Sequence, residues 1–150
     1  MDVKVYTGES YNAFTGETRT SYVMVDAVTG AIVQTCSCNQ NTPRDVLTLT
    51  SIKRAVQALE YVDADSAIVY TDSSFVVNEI NSSNKKSKHG QLISYIRRYM
   101  AALKIPVEVK FTESDKLTLP NDIAEAADYI KGFDISEAER NVAKLFGYNN

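Results

Sequence analysis

The sequence predicts an α/β protein: a five-stranded mixed sheet, three antiparallel strands followed by parallel ones, flanked by helices. Three observations carry this prediction. Three β-rich runs open the chain, at 3–7, 19–26 and 31–38, and amphipathic helical stretches then alternate with two more apolar runs, 67–71 and 107–112. Between these, SAIVYTDSSFVVNEIN (66–81) passes directly from buried-type residues into a helical stripe, which leaves Asp72 at the exposed end of a strand. Hairpin-linked strands followed by alternating helix and strand make a mixed sheet with helical layers. In open α/β sheets that strand-end rim is where ligands bind.

Each element has its own local justification. The runs RTSYVMVD and AIVQTCSC are joined by a tight turn around Thr29-Gly30, and Asn12 to Gly16 links the first two strands, giving an antiparallel meander. The first helix is expected to open at Thr42-Pro43-Arg44-Asp45, with Thr42 as cap, Pro43 in the first helical position and Asp45 at the positive end of the dipole. Ile52, Ala55, Val56 and Leu59 recur at i, i+3, i+4 and i+7 and form its buried stripe. A helix from Ser73 buries Val76, Val77 and Ile80, with Asp72 available as its cap. After the polar break 82–91, a helix through Leu92, Ile93, Ile96, Met100 and Leu103 ends before Pro106. VEVKFT is the fifth strand. Asn121 then caps a helix with Ile123, Ala126, Ala127 and Ile130 inward, and Ser136 with Glu139 forms the capping box of a last helix.

Composition sets bounds on function. With 150 residues, 44% of them hydrophobic and 23% charged, the chain is expected to form one core domain at 1–131 plus a helical extension at 132–150, packed on the domain or on a partner. No apolar stretch is long enough to span a bilayer and no signal peptide opens the sequence, so the expected setting is soluble and cytoplasmic. Cys36 and Cys38, the two cysteines, lack the further ligands of a zinc site and read as half-buried strand residues. The net charge of −3 argues against tight sequence-independent nucleic-acid binding unless cations cluster locally. Asn84-Lys85-Lys86-Ser87-Lys88-His89, followed by Arg97-Arg98, is the densest such cluster. His89, the single histidine, stands in that loop and is given no catalytic role.

The order of elements over residues 3 to 131 resembles the ribonuclease H fold, and two stretches carry the resemblance locally. VYTDSSFVVNEI (69–80) is similar to that family's fourth strand and following helix, whose Asp is a metal ligand. The tail from Lys110 to Ala127 resembles its loop lysine followed by N-x-x-A-D and a helix, so Asp122 falls in the slot of the last acid. The resemblance implies four carboxylates holding two Mg²⁺ (or Mn²⁺) ions, one activating water and one stabilising the leaving oxygen of an RNA phosphodiester. Several carboxylates are needed because two dications about 4 Å apart repel strongly.

Asp72 and Asp122 match two of the four acids. At the first-strand acid the chain reads Thr7-Gly8-Glu9-Ser10, with Gly8 in the slot and Glu9 one residue later. One step along a strand reverses a side chain's face, so Glu9 is expected to reach the site only if the strand ends or bulges at Gly8. The helix acid, counted back from Ala58-Leu59-Glu60, falls on Ser51; the loop histidine falls on Thr112. Leu47 and Thr48 stand where minor-groove asparagines are common. Asp72 and Asp122 alone supply −2 against the +4 of two Mg²⁺, an ion that dehydrates reluctantly. The expectation is therefore an eroded two-metal site, with Glu9, Asp72 and Asp122 as weak or vestigial catalytic and metal-ligating residues. The protein is then expected to act by binding nucleic acid, through Lys85, Lys86, Lys88, Arg97 and Arg98, or a protein partner. The rival expectation is a working metal-dependent ribonuclease cleaving RNA in RNA/DNA hybrids with those three acids.

Overall fold

The computed structural model describes residues 1–39, 42–82, 88–117 and 120, the side chains of 38 and 39 excepted. The two helices expected from Asn121 and Ser136, the boundary at 131, and Asp122, Lys85 and Lys86 lie outside those residues.

Five strands form one sheet in the order β3-β2-β1-β4-β5. They are β1 (Asp2–Tyr11), β2 (Thr18–Asp26), β3 (Ile32–Asn39), β4 (Ser66–Thr71) and β5 (Val107–Phe111). β1, β2 and β3 pair antiparallel as a meander, and β4 and β5 extend the sheet in parallel from β1. The helices are α1 (Leu47–Ala58), α2 (Ser74–Asn81) and α3 (Gly90–Ala102). The mixed sheet with flanking helices is the architecture the sequence predicts.

The pleat sorts β1 into two faces. Val3 and Val5 point to the side where α1 and α3 pack. There they join Met24 of β2, Ala67 and Val69 of β4, Ile52, Ala55 and Val56 of α1, and Ile93 and Ile96 of α3 in one buried cluster. The apolar stripe expected of α1 is thus the one buried. On the opposite face the Tyr6 and Tyr70 rings stack at 5.3 Å, and the Ser21 hydroxyl donates to the Pro120 carbonyl. The segment after β5 therefore reaches the sheet face that α1 leaves uncovered.

Three local expectations are corrected. β1 does not stop at residue 7; it pairs with β2 through Tyr11↔Thr18 with no shift in register. The first helix begins with a 3₁₀ turn, Arg44–Val46, and becomes α-helical at Leu47, with no side-chain cap. Thr42 is instead tied to the base of the first hairpin: its N–H donates to Thr18 Oγ1 at 2.9 Å, and its carbonyl accepts from the same hydroxyl at 2.9 Å. Asp72 does not cap α2. That role belongs to Ser73, whose Oγ accepts from the Val76 N–H at 3.2 Å. Ser73→Ala is expected to cost about 1 kcal/mol, lowering the thermal midpoint by roughly 2–4 °C. A midpoint within one degree of the parent would show that the cap contributes little.

No helix among the described residues is long and apolar enough to cross a membrane.

Candidate functional site

The C-terminal ends of β1 and β4 lie side by side, because the two strands run parallel and pair from Asp2↔Ser66 to Tyr6↔Tyr70. Thr7 continues this seam through its hydroxyl, which donates to the Tyr70 carbonyl at 2.8 Å. β4 ends at Thr71, and Asp72 follows at once on the rim. Its Oδ2 accepts a hydrogen bond from the Ser114 hydroxyl at 3.0 Å. Ser114 belongs to the turn after β5, brought alongside because the Thr112 N–H donates to the Thr71 carbonyl at 2.8 Å.

Glu9 reaches this rim without the bulge that the sequence suggested. Regular alternation puts residues 3, 5, 7 and 9 on the α1 side of the sheet and turns Gly8 to the other side. The acid one residue late is thus on the helix-facing side, and the glycine in the expected slot is not.

On that side the Glu9 carboxylate meets the first turns of α1. Thr48 Oγ1 donates to Glu9 Oε1 at 2.7 Å. Ser51 Oγ lies 3.3 Å from Glu9 Oε2 and 2.7 Å from the Thr48 carbonyl. Thr48 and Ser51 are three residues apart and so share one helix face. Ser51 is 1% exposed, which makes the hydroxyl a buried replacement for the acid expected there.

A serine has one hydroxyl hydrogen, and the shorter, better placed acceptor is the Thr48 carbonyl. Thr48 Oγ1 and Ser51 Oγ both present their hydroxyls to the Glu9 carboxylate, the Ser51 hydroxyl being shared with the Thr48 carbonyl. Burial is the largest influence on Glu9 and pushes its carboxyl above the ordinary range; the nearby Asp72 charge adds to this, and the Thr48 and Ser51 hydrogen bonds oppose it.

The donors that the described residues bring to the rim are the Glu9 and Asp72 carboxylates and the hydroxyls of Thr48, Ser51 and Ser114. Among the described residues no three Asp, Glu, His or Cys side chains converge on one point, and the two acids at the rim are both hydrogen-bonded by hydroxyls. Hard dications need converging anionic oxygens. Asp122 lies outside the described residues.

Among the described cationic residues, Lys88 lies apart from Arg97 and Arg98. Lys88 Nζ is 3.3 Å from Asp45 Oδ2 and His89 Nε2 is 3.7 Å from the same oxygen, so these two residues stand at the entrance of α1. His89, given no catalytic role from the sequence, therefore stands at the same end of the molecule as Thr48. Arg97 and Arg98 lie farther along α3, about 11–12 Å from its start at 1.5 Å per residue. Arg97 Nη1 donates to the Ser82 carbonyl at 2.6 Å, and Arg98 Nε to the Ser94 carbonyl at 3.4 Å.

Sequence reasoning treated Thr48 and Ser51 only as departures and missed them as partners of Glu9. Their i, i+3 spacing, facing a strand acid, was the available signal. It also missed Ser114, and the Arg44 guanidinium lying 4.7 Å over the Tyr11 ring.

The fold is that of ribonuclease H. Ribonuclease H1 from the halophilic archaeon Halobacterium salinarum superimposes with a TM-score of 0.74 at 14% identity, covering 87% of this chain and 100% of that one. The amino-terminal ribonuclease H domain of Rv2228c from Mycobacterium tuberculosis gives 0.72 at 13% identity, covering 95% and 99%. A ribonuclease H1 isolated from compost, in complex with an RNA/DNA hybrid, gives 0.64 at 15% identity, covering 76% and 87%. No family model matches the sequence, and no curated protein matches it.

Proposed function

We propose that this chain is a ribonuclease-H-like domain whose two-metal site has eroded and which binds nucleic acid rather than cutting it. One observation carries the reading. The position where a helix carboxylate is expected holds a buried serine, and with Thr48 it engages the Glu9 carboxylate. A carboxylate whose two oxygens are already engaged by hydroxyls, with no second carboxylate on the helix facing it, offers a hard cation few anionic oxygens. The rim then has the shape of a nuclease cleft without its charge.

Nucleic acid is the partner this reading favours over a protein. The chain is acidic overall, but Arg44 and Lys88 flank the α1 entrance beside the rim, with Lys85 and Lys86 just before Lys88 in sequence. Mg²⁺ or Mn²⁺ is not a required cofactor on this reading. Residues 132–150 are taken as an extension of the core domain.

The test is incubation of the purified protein with an RNA/DNA hybrid in Mg²⁺ and then Mn²⁺, beside Asp72→Asn. The expected result is no cleavage by either protein, together with hybrid binding that weakens as salt rises. Cleavage by the parent that Asp72→Asn abolishes would establish the rival reading, an endonuclease using Glu9, Asp72 and Asp122.

A further inference from the structure

The most exposed aromatic side chain among the described residues sits on a tightly built loop at the functional rim. Phe14 is 98% exposed. Its loop joins β1 to β2 and is held from within by Asn12, which is buried. Asn12 Oδ1 accepts from the Phe14 N–H at 2.9 Å and the Thr15 N–H at 3.3 Å. The Asn12 N–H donates to the Glu17 carbonyl at 2.9 Å, and the Gly16 N–H to the Asn12 carbonyl at 2.8 Å. Gly16 takes φ +76, a left-handed conformation that side chains rarely adopt, although no atom crowds its missing Cβ. The loop is therefore fixed around a ring left in water.

Its position links that ring to the cleft. β1 and β2 stay paired past the end of β4, so residues 8–11 overhang by roughly 13 Å at 3.3 Å per residue. Tyr11, two residues beyond Glu9, lies on the same sheet face, is 42% exposed and carries the Arg44 guanidinium on its ring. The next residue, Asp45, holds Lys88. Phe14, Tyr11 with Arg44, and Lys88 with Asp45 thus belong to adjoining elements at this end of the sheet, which we call the ridge.

We propose that this ridge is a single-strand nucleic-acid site, in which Phe14 stacks on an unpaired base and Arg44 and Lys88 meet the adjoining phosphates. The inference rests on the nucleic-acid-binding reading above and adds to it a contact with an unpaired base. Open aromatic faces next to cations are the elements of sequence-tolerant single-strand binding. Arg44, on the Tyr11 ring, and Lys88, beside Asp45, are the cations such an occupant would use.

The full chain contains no tryptophan, so Phe14→Trp supplies a single reporter indole. Binding of labelled single-stranded RNA, single-stranded DNA and a blunt RNA/DNA hybrid would be measured by anisotropy for the parent, Phe14→Ala, Phe14→Trp and Arg44→Ala. The expected result is single-strand binding weakened about tenfold by Phe14→Ala and retained by Phe14→Trp, with the indole emission quenched on binding. Arg44→Ala should lower the salt dependence by about one phosphate contact. Equal affinity of Phe14→Ala and the parent, with unchanged indole emission, overturns the ridge while leaving the broader reading intact. No binding of any oligonucleotide by the parent overturns both. An indole blue shift that follows protein concentration, without response to oligonucleotide, places the ring against a second copy and also overturns the proposal. Because Phe14 is almost fully exposed, these substitutions should leave the thermal midpoint unchanged.

Discussion

Ser51→Glu is expected to be markedly less stable than the parent without divalent cations and to recover when Mg²⁺ or Mn²⁺ is added. Ser51 is buried against Glu9, so the substitution places a second carboxylate in a site that already disfavours the first. An uncompensated buried charge costs on the order of 3 kcal/mol or more, roughly 10 °C in thermal midpoint for a chain of this size. A cation bound by the folded state returns stability in proportion to the logarithm of its concentration, about 2.7 kcal/mol at a hundredfold excess over Kd. With Glu9 and Asp72 beside it, the new carboxylate makes three acids at the rim. The parent midpoint should barely respond to the same additions. Thermal unfolding of both proteins across a Mg²⁺ series checks this. Failure of the variant to recover would mean that geometry, and not a missing acid, keeps the metal out.

Glu9→Gln is expected to stabilise the protein at pH 7 and to raise its thermal midpoint above that of the parent. The sign follows from linkage. The Glu9 carboxyl is raised above its ordinary value in the folded state, first by burial and then by Asp72. Its contribution is therefore fully present below the unfolded-state pKa and is lost as pH climbs through the raised folded value. Glutamine keeps the neutral form at every pH. Its carbonyl can accept from Thr48 and its amide can donate to Ser51 Oγ, whose hydrogen goes to the Thr48 carbonyl. Midpoints of the two proteins should converge in acid and separate toward neutrality, with the variant higher. A parent that gains stability relative to Glu9→Gln as pH rises would show that the ionised carboxylate is the favoured form. That result would reopen its role as a ligand.

The architecture was legible because it rests on periodicity. The alternation in β1 and β2 and the stripe Ile52, Ala55, Val56 and Leu59 are long-range packing signals written locally, and they are the residues found in the core. Asp72 was legible for a similar reason, since a strand that hands over directly to a helix leaves its last residue at the rim. Helix starts were less so. Thr42 has the chemistry of a cap, yet its backbone is committed to Thr18 across the hairpin base, a tertiary contact that overrides the local preference. Asp72 had the same cap chemistry, but Ser73 beside it is the residue at the true helix boundary. The Glu9 side chain was misjudged because the sequence was read against a fixed slot. Extending β1 through Tyr11 keeps the pleat regular and turns the acid to α1 without any bulge. Its partners were hidden because a hydroxyl becomes meaningful only when the opposing acid is known to face it.

The central claim is that the rim of this sheet presents too little available negative charge to hold a pair of divalent ions. Calorimetric titration of Mn²⁺ into the parent protein at neutral pH, beside Asp72→Asn, measures this directly. The account predicts no saturable binding at millimolar ion in either protein. Two ions bound per chain with micromolar affinity, lost in Asp72→Asn, would contradict it.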